Sequence, residues 1–149
     1  MPGKKVVITG MGAVTPLGLD VESTWKALCA GTSGVAPITK FDASAFPVRF
    51  AAEVKNFDPS LYMDRKLVRR FDGYMHFAYA ATAEAMKMAG LDRDAVTAYG
   101  PERCGMIIGS GIGGMQSFFE ESEAYIRGGH KKVSPFFIPA MIPNMASGM

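Results

Sequence analysis

The sequence predicts an α/β fold, and three observations carry that prediction. A short apolar run at residues 106–108 passes into Gly109-Ser110-Gly111-Ile112-Gly113-Gly114 and then into a helical pattern from Met115, which reads as strand, glycine turn and helix. Residues 5–12 are β-branched and apolar, the pattern of a central strand buried on both faces. Several other segments repeat their apolar residues at helical spacing. With 149 residues, 48% of them hydrophobic and 20% charged, the chain is long enough for one domain with a real core.

Taken in order, Thr15-Pro16-Leu17-Gly18 ends the first strand. Asp20 is placed to cap the next helix, Glu22 falls in its favourable first turn, and Gly31 closes it. Val21, Trp25, Leu28 and Cys29 share one face, so Cys29 is expected to be a buried packing residue. Residues 31–57 are irregular, with a short strand expected at 50–54. This stretch is long for a connector and is expected to wrap the surface or to form part of a subunit contact.

One long helix is expected over roughly residues 66–89, with Phe71, Met75, Ala78, Tyr79, Thr82, Met86 and Ala89 facing inward and Gly90 ending it. Arg65, Lys66, Arg69 and Arg70 crowd its start, where the helix dipole disfavours cations. Lys66, Arg69 and Arg70 point the same way. They form either a solvated face or a docking patch for an acidic partner. A further helix is expected near residues 115–127, stopped by Gly128-Gly129. The final apolar stretch, 134–145, holds three prolines and cannot be a central strand. It reads as a pocket wall or a subunit interface.

Composition and spacing exclude much. A net charge of +2 is not that of a nucleic-acid binder. Cys29 and Cys104 lie far apart and give neither a disulfide framework nor a metal-ligand spacing, which fits a reduced intracellular setting. There is no signal peptide and no apolar span long enough for a membrane. Gly109, Gly111 and Gly114 match a dinucleotide fingerprint, but the ribose-binding acid expected about twenty residues later is missing; that region is basic and proline-containing. Gly109-Ser110-Gly111 sets its glycines too close for a serine-hydrolase elbow. His76 and His130 belong to no Cys-His or Ser-His-Asp set and are read as structural or surface residues. No metal site or cofactor is expected, and a dinucleotide-binding oxidoreductase remains only as the third reading.

Several stretches together resemble one family, the β-ketoacyl-acyl-carrier-protein synthases, and within it the type II elongating enzymes. They are Val7-Ile8-Thr9-Gly10-Met11-Gly12 with Thr15-Pro16-Leu17-Gly18, Thr24-Trp25, Gly31-Thr32-Ser33-Gly34, Phe41-Asp42, the glycine turn at 109–114, and Ser134-Pro135-Phe136-Phe137-Ile138-Pro139 with Asn144-Met145. The resemblance implies a thiolase-like α-β-α-β-α layered fold, of which residues 1–149 are most of the N-terminal half, an incomplete domain. It implies decarboxylative Claisen condensation on a cysteine assisted by two histidines, in a cytoplasmic homodimer served by acyl carrier protein. Cys29, Cys104, His76 and His130 match none of those catalytic positions, so the resemblance implies no catalytic residue in this chain, which is expected to be a truncated and inactive piece. It implies that Ile112 is the gate at the mouth of the acyl pocket, with Gly111 as its neighbour. Phe137 is implied at the pocket's far end, across the dimer interface. Lys66, Arg69 and Arg70 are implied to receive the carrier protein. A non-catalytic partner subunit like the chain-length factors of polyketide systems is the alternative. Strands that depend on sequence outside the chain imply an unstable or aggregating product on its own.

Overall fold

The structure, a computed structural model, describes residue 3 and residues 5–149. The chain forms two compact units. One runs up to Asp58 and takes in Ala81–Gly90; the other comprises Pro59–Ala80 and Leu91–Met149.

In the first unit, helix α1 (Val21–Cys29) starts where Asp20 accepts the Ser23 amide proton at 2.6 Å, and Gly31 leaves it with φ +66°. Both were expected from sequence, because a side-chain oxygen at the cap satisfies an amide that has no partner inside the helix. Strands β1 (Ala36–Pro37) and β2 (Phe50–Ala51) pair antiparallel, Ala36 with Ala51 and Pro37 with Phe50. β2 is shorter than the 50–54 stretch expected. Just beyond the pair, Glu53 accepts the Thr39 hydroxyl proton at 2.6 Å and the Thr39 amide at 3.1 Å. The Thr39 hydroxyl foremost holds the Glu53 carboxyl below its ordinary value.

Residues 5–12 are not a strand, contrary to expectation. Val6 is 95% exposed and Ile8 84% exposed, and among the described residues β1–β2 is the one sheet. A strand buried on both faces exists only when neighbouring strands take its backbone hydrogen bonds, and none is present here. The segment instead lies against the end of helix α3 (Gly73–Met88). The Met11 amide reaches Met88 Sδ at 3.3 Å, and Glu84 accepts the amides of Ala13 at 2.8 Å and Val21 at 2.9 Å. Gly10 and Gly12 permit this approach: a Cβ on either would meet the backbone of Ala85 or Ala81. The α1 stripe is likewise open. Trp25 is 67% exposed and Cys29 is exposed rather than buried, because none of the described elements covers that face.

In the second unit the expected long helix is two helices. α2 (Arg65–Arg70) is capped by Asp64, whose Oδ1 accepts the amides of Lys66 at 2.7 Å and Leu67 at 3.0 Å. Phe71 is extended (φ −111°, ψ 146°), and α3 begins two residues later. The break has a local cause. Asp72 is a poor helix-interior residue but a strong cap, and its Oδ1 takes the Tyr74 amide at 3.3 Å. Met75 is fully buried in this unit, whereas Tyr79, expected inward, is exposed.

Helix α4 (Arg93–Tyr99), capped by Asp92, fills a stretch to which the sequence assigned no element. Residues 106–108 are not a strand either; Ile107 is wholly exposed, for the same want of neighbouring strands. α5 (Met115–Gly128) follows the glycine turn as expected, and Gly129 ends it with φ +73°. The proline-punctuated stretch forms two short helices, α6 (Phe137–Met141) and α7 (Met145–Gly148). Tyr74 donates its hydroxyl proton to the Ile142 carbonyl at 2.6 Å.

Candidate functional site

The second unit gathers most of the residues singled out from sequence. α2 carries Lys66, Arg69 and Arg70 one turn apart, all exposed. Their electrostatics differ from expectation. Because α2 stops at Arg70, Arg69 and Arg70 sit in its last turn, where the dipole favours cations, and the Asp64 carboxylate offsets the charge at its start. The Leu67 amide, then the Lys66 amide, hold the Asp64 carboxyl below its ordinary value. The helix dipole therefore favours Arg69 and Arg70 where they stand.

Arg70 lays its guanidinium over the Phe136 ring, 4.3 Å from the centroid. Beneath it is a cavity of about 240 Å³ lined by Arg69, Arg70, Glu120, Glu121, Ser134 and Phe137, among others. Glu121 accepts the Ser134 amide at 2.7 Å and so ties α5 to the approach to α6. A second depression, about 310 Å³, is walled by Phe118, Tyr125, Ile126, Val133 and Phe137. Phe137 stands between the two, its ring centroid 6.3 Å from that of Phe118. Arg69 and Arg70 thus share the first cavity with the Glu120 and Glu121 carboxylates, and Phe137 separates it from an apolar hollow.

The glycine turn is built by close packing. Ser110 Oγ accepts the Gly113 amide at 2.9 Å, a structural task rather than a nucleophile's. Gly113 has φ +80°, which only glycine adopts readily. The Gly114 amide donates to the Met141 carbonyl at 2.8 Å. Gly111 has open space around it, and Ile112 is 65% exposed and lines neither cavity.

Cys29 and Cys104 are both free and exposed. His76 Nε2 is buried without a hydrogen-bond partner. Burial pushes the imidazole below its ordinary value, partly offset by a hydrogen bond to the Val68 backbone. Sequence reasoning placed Asp72 only as an offset to the basic residues and Glu121 only on the polar side of its helix, and foresaw neither the bridge nor the tie they make. An Asp-Gly pair inside an unbroken helical stripe was the available signal for Asp72; nothing local distinguished Glu121.

The model of the β-ketoacyl synthase N-terminal domain matches residues 3–149. The chain belongs to the β-ketoacyl synthase family. It is 49% identical over its whole length to 3-oxoacyl-acyl-carrier-protein synthase 2 of Coxiella burnetii, of which it covers 35%. To the synthase of the same name from Synechocystis it is 42% identical over 98% of the chain and 34% of the relative. The chain spans about a third of the length of these relatives. Among solved structures it is similar to a type II polyketide acyl-carrier protein in complex with its ketosynthase (TM-score 0.75, 26% identity, 95% of this chain and 36% of that one). It is also similar to the ishigamide ketosynthase/chain length factor (TM-score 0.77, 25% identity, 94% of this chain and 34% of that one). These likenesses bear out the α/β, thiolase-like ketosynthase class read from sequence, although the two expected strands stand unpaired. Among the described residues no helix is long and apolar enough to cross a membrane.

Proposed function

We propose that this chain is the incomplete N-terminal domain of a cytoplasmic, homodimeric 3-oxoacyl-acyl-carrier-protein synthase of fatty acid elongation. The carrying observation is the family match over residues 3–149 together with 49% identity to a synthase 2. In this reading an acyl group passes from carrier protein to a cysteine thiolate. Malonyl-carrier protein then loses carbon dioxide, and the resulting carbanion equivalent attacks the acyl carbonyl and expels the thiolate.

This chain contributes recognition rather than chemistry. Lys66, Arg69 and Arg70 receive the acidic carrier, complementary charge acting chiefly on encounter rate. Gly111 and Ile112 gate the acyl chain, and Phe137 closes the pocket. Neither cysteine nor either histidine is assigned a catalytic role. The carrier protein bound to a ketosynthase in a structurally similar complex supports the partner.

A chimera in which this chain replaces the matching third of the Coxiella burnetii synthase tests the reading. It should release carbon dioxide from malonyl-carrier protein and form 3-oxoacyl product, while the 149-residue chain alone does neither. An inert but folded chimera counts against the proposal, as does condensation by the chain alone. The likeness to a ketosynthase/chain length factor favours a second reading, a non-catalytic partner subunit. That reading is preferred if the chimera fails to condense alone yet alters product length when paired with an active synthase.

A further inference from the structure

Asp72 does more than start α3. It is 9% exposed, and its polar atoms all face the first turns of two helices. Its backbone carbonyl accepts the Met75 amide at 3.0 Å and the His76 amide at 3.3 Å, and Oδ1 accepts the Tyr74 amide at 3.3 Å. Oδ2 reaches α5, where it accepts the Ser117 amide at 2.8 Å. Capping α3 needs a single side-chain oxygen, which asparagine supplies as well as aspartate does. Serving two helices at once needs a carboxylate, since an asparagine would turn an NH2 donor toward one of the two amides.

The Ser117 amide is one of the four at the start of α5 that have no acceptor within the helix. Gly114, the residue that begins α5, has no side chain with which to cap it. The helix start is therefore located by Asp72 on one side and by the Met141 carbonyl, which takes the Gly114 amide, on the other. The turn carrying Gly111 and Ile112 hangs directly from this point. On the other side of Asp72, one residue separates it from Arg70 and the end of α2. A load applied to the basic helix reaches Asp72 through two peptide links, and Oδ2 hands it to α5. Arg70 stacked on Phe136 supplies a second tether to the same pocket wall.

We infer that Asp72 is a positioning residue that couples occupancy of the basic α2 surface to the placement of the Ile112 turn. This rests on the proposed docking of an acidic carrier at Lys66, Arg69 and Arg70. Carrier binding and release then bias the turn that carries Gly111 and Ile112 through one carboxylate, so that the turn responds to the partner that delivers the chain.

Hydrogen exchange of the chimeric synthase that carries this chain, with and without Coxiella burnetii acyl carrier protein, provides the test, alongside a binding isotherm. In the chimera with the wild-type chain the carrier should slow exchange several-fold at residues 111–117. In Asp72→Asn the carrier should bind with unchanged affinity and that slowing should vanish. A merely structural Asp72 would lower protection of the free variant at the starts of α3 and α5 but leave the carrier-dependent difference intact. Persistent slowing in Asp72→Asn overturns the inference. So does a wild-type chimera that binds carrier with no response at 111–117, a result that needs no variant to fold. A flat wild-type isotherm is a separate outcome and overturns the docking reading along with this one.

Discussion

Replacing Gly114 by alanine should loosen the junction between the glycine turn and α6. A Cβ built there lies 2.9 Å from Met141 Cα and 3.1 Å from the Ala140 carbonyl carbon, and it runs into the Ala140 carbonyl oxygen. All three are backbone atoms with no rotamer to yield, so α5 and α6 must separate, and the 2.8 Å bond from the Gly114 amide to Met141 goes with them. Overpacking of this kind costs about 1–3 kcal/mol. The lost hydrogen bond adds about 1 kcal/mol. The stiffer unfolded chain returns roughly 0.4–1 kcal/mol. The net expectation is a destabilisation of about 1–4 kcal/mol. Gly111→Ala is the internal control: its Cβ meets nothing within 4 Å and its φ is not positive, so it should be neutral or slightly stabilising. Urea unfolding of both variants, followed by circular dichroism in the ellipticity of the helices, compares them. If the two midpoints coincide, the close packing of the turn against α6 is not what fixes it.

Two further outcomes follow from charge and capping. His76 is held below its ordinary value of 6.5 by burial, so below that pH the unfolded chain takes up a proton that the folded chain refuses. Stability should therefore fall as the pH drops from 6.5 toward the folded value, and His76→Gln should flatten that slope in urea melts run across the range; an unchanged slope refutes the assignment. Asp64→Ala should remove the cap of α2 at a cost of about 1 kcal/mol. The loss should show as reduced helical carbon shifts at residues 65–70 in nuclear magnetic resonance spectra, and unchanged shifts would show that packing alone holds the helix.

What the sequence disclosed follows a physical division. Features set within a few residues were legible: the Asp20 cap, the positive-φ glycines 31, 90 and 129, and the start of α5 at Met115. Features that depend on distant partners were not. The runs at 5–12 and 106–108 have strand composition, but composition supplies no ladder, and both remain unpaired. The face of Trp25 and Cys29 has helical periodicity without a covering element. The helix break at Phe71–Asp72 was concealed because apolar spacing continues across it. At the site, Arg69, Arg70 and Phe137, named from resemblance, line one cavity, while Lys66 and Ile112 stand outside it. The Asp72 bridge to Ser117 joins residues 45 apart and left no local trace.

We propose that α2 presents a docking surface for an acidic carrier, beside a cavity that Phe137 separates from an apolar hollow. Titrating the chain into fluorescently labelled Coxiella burnetii acyl carrier protein at low and at high salt measures it most directly. Binding should weaken steeply once the screening length falls below about 10 Å, and should be abolished in the double variant Lys66→Glu, Arg69→Glu. Equal affinity for wild type and charge-reversed chain, or affinity indifferent to salt, would contradict it.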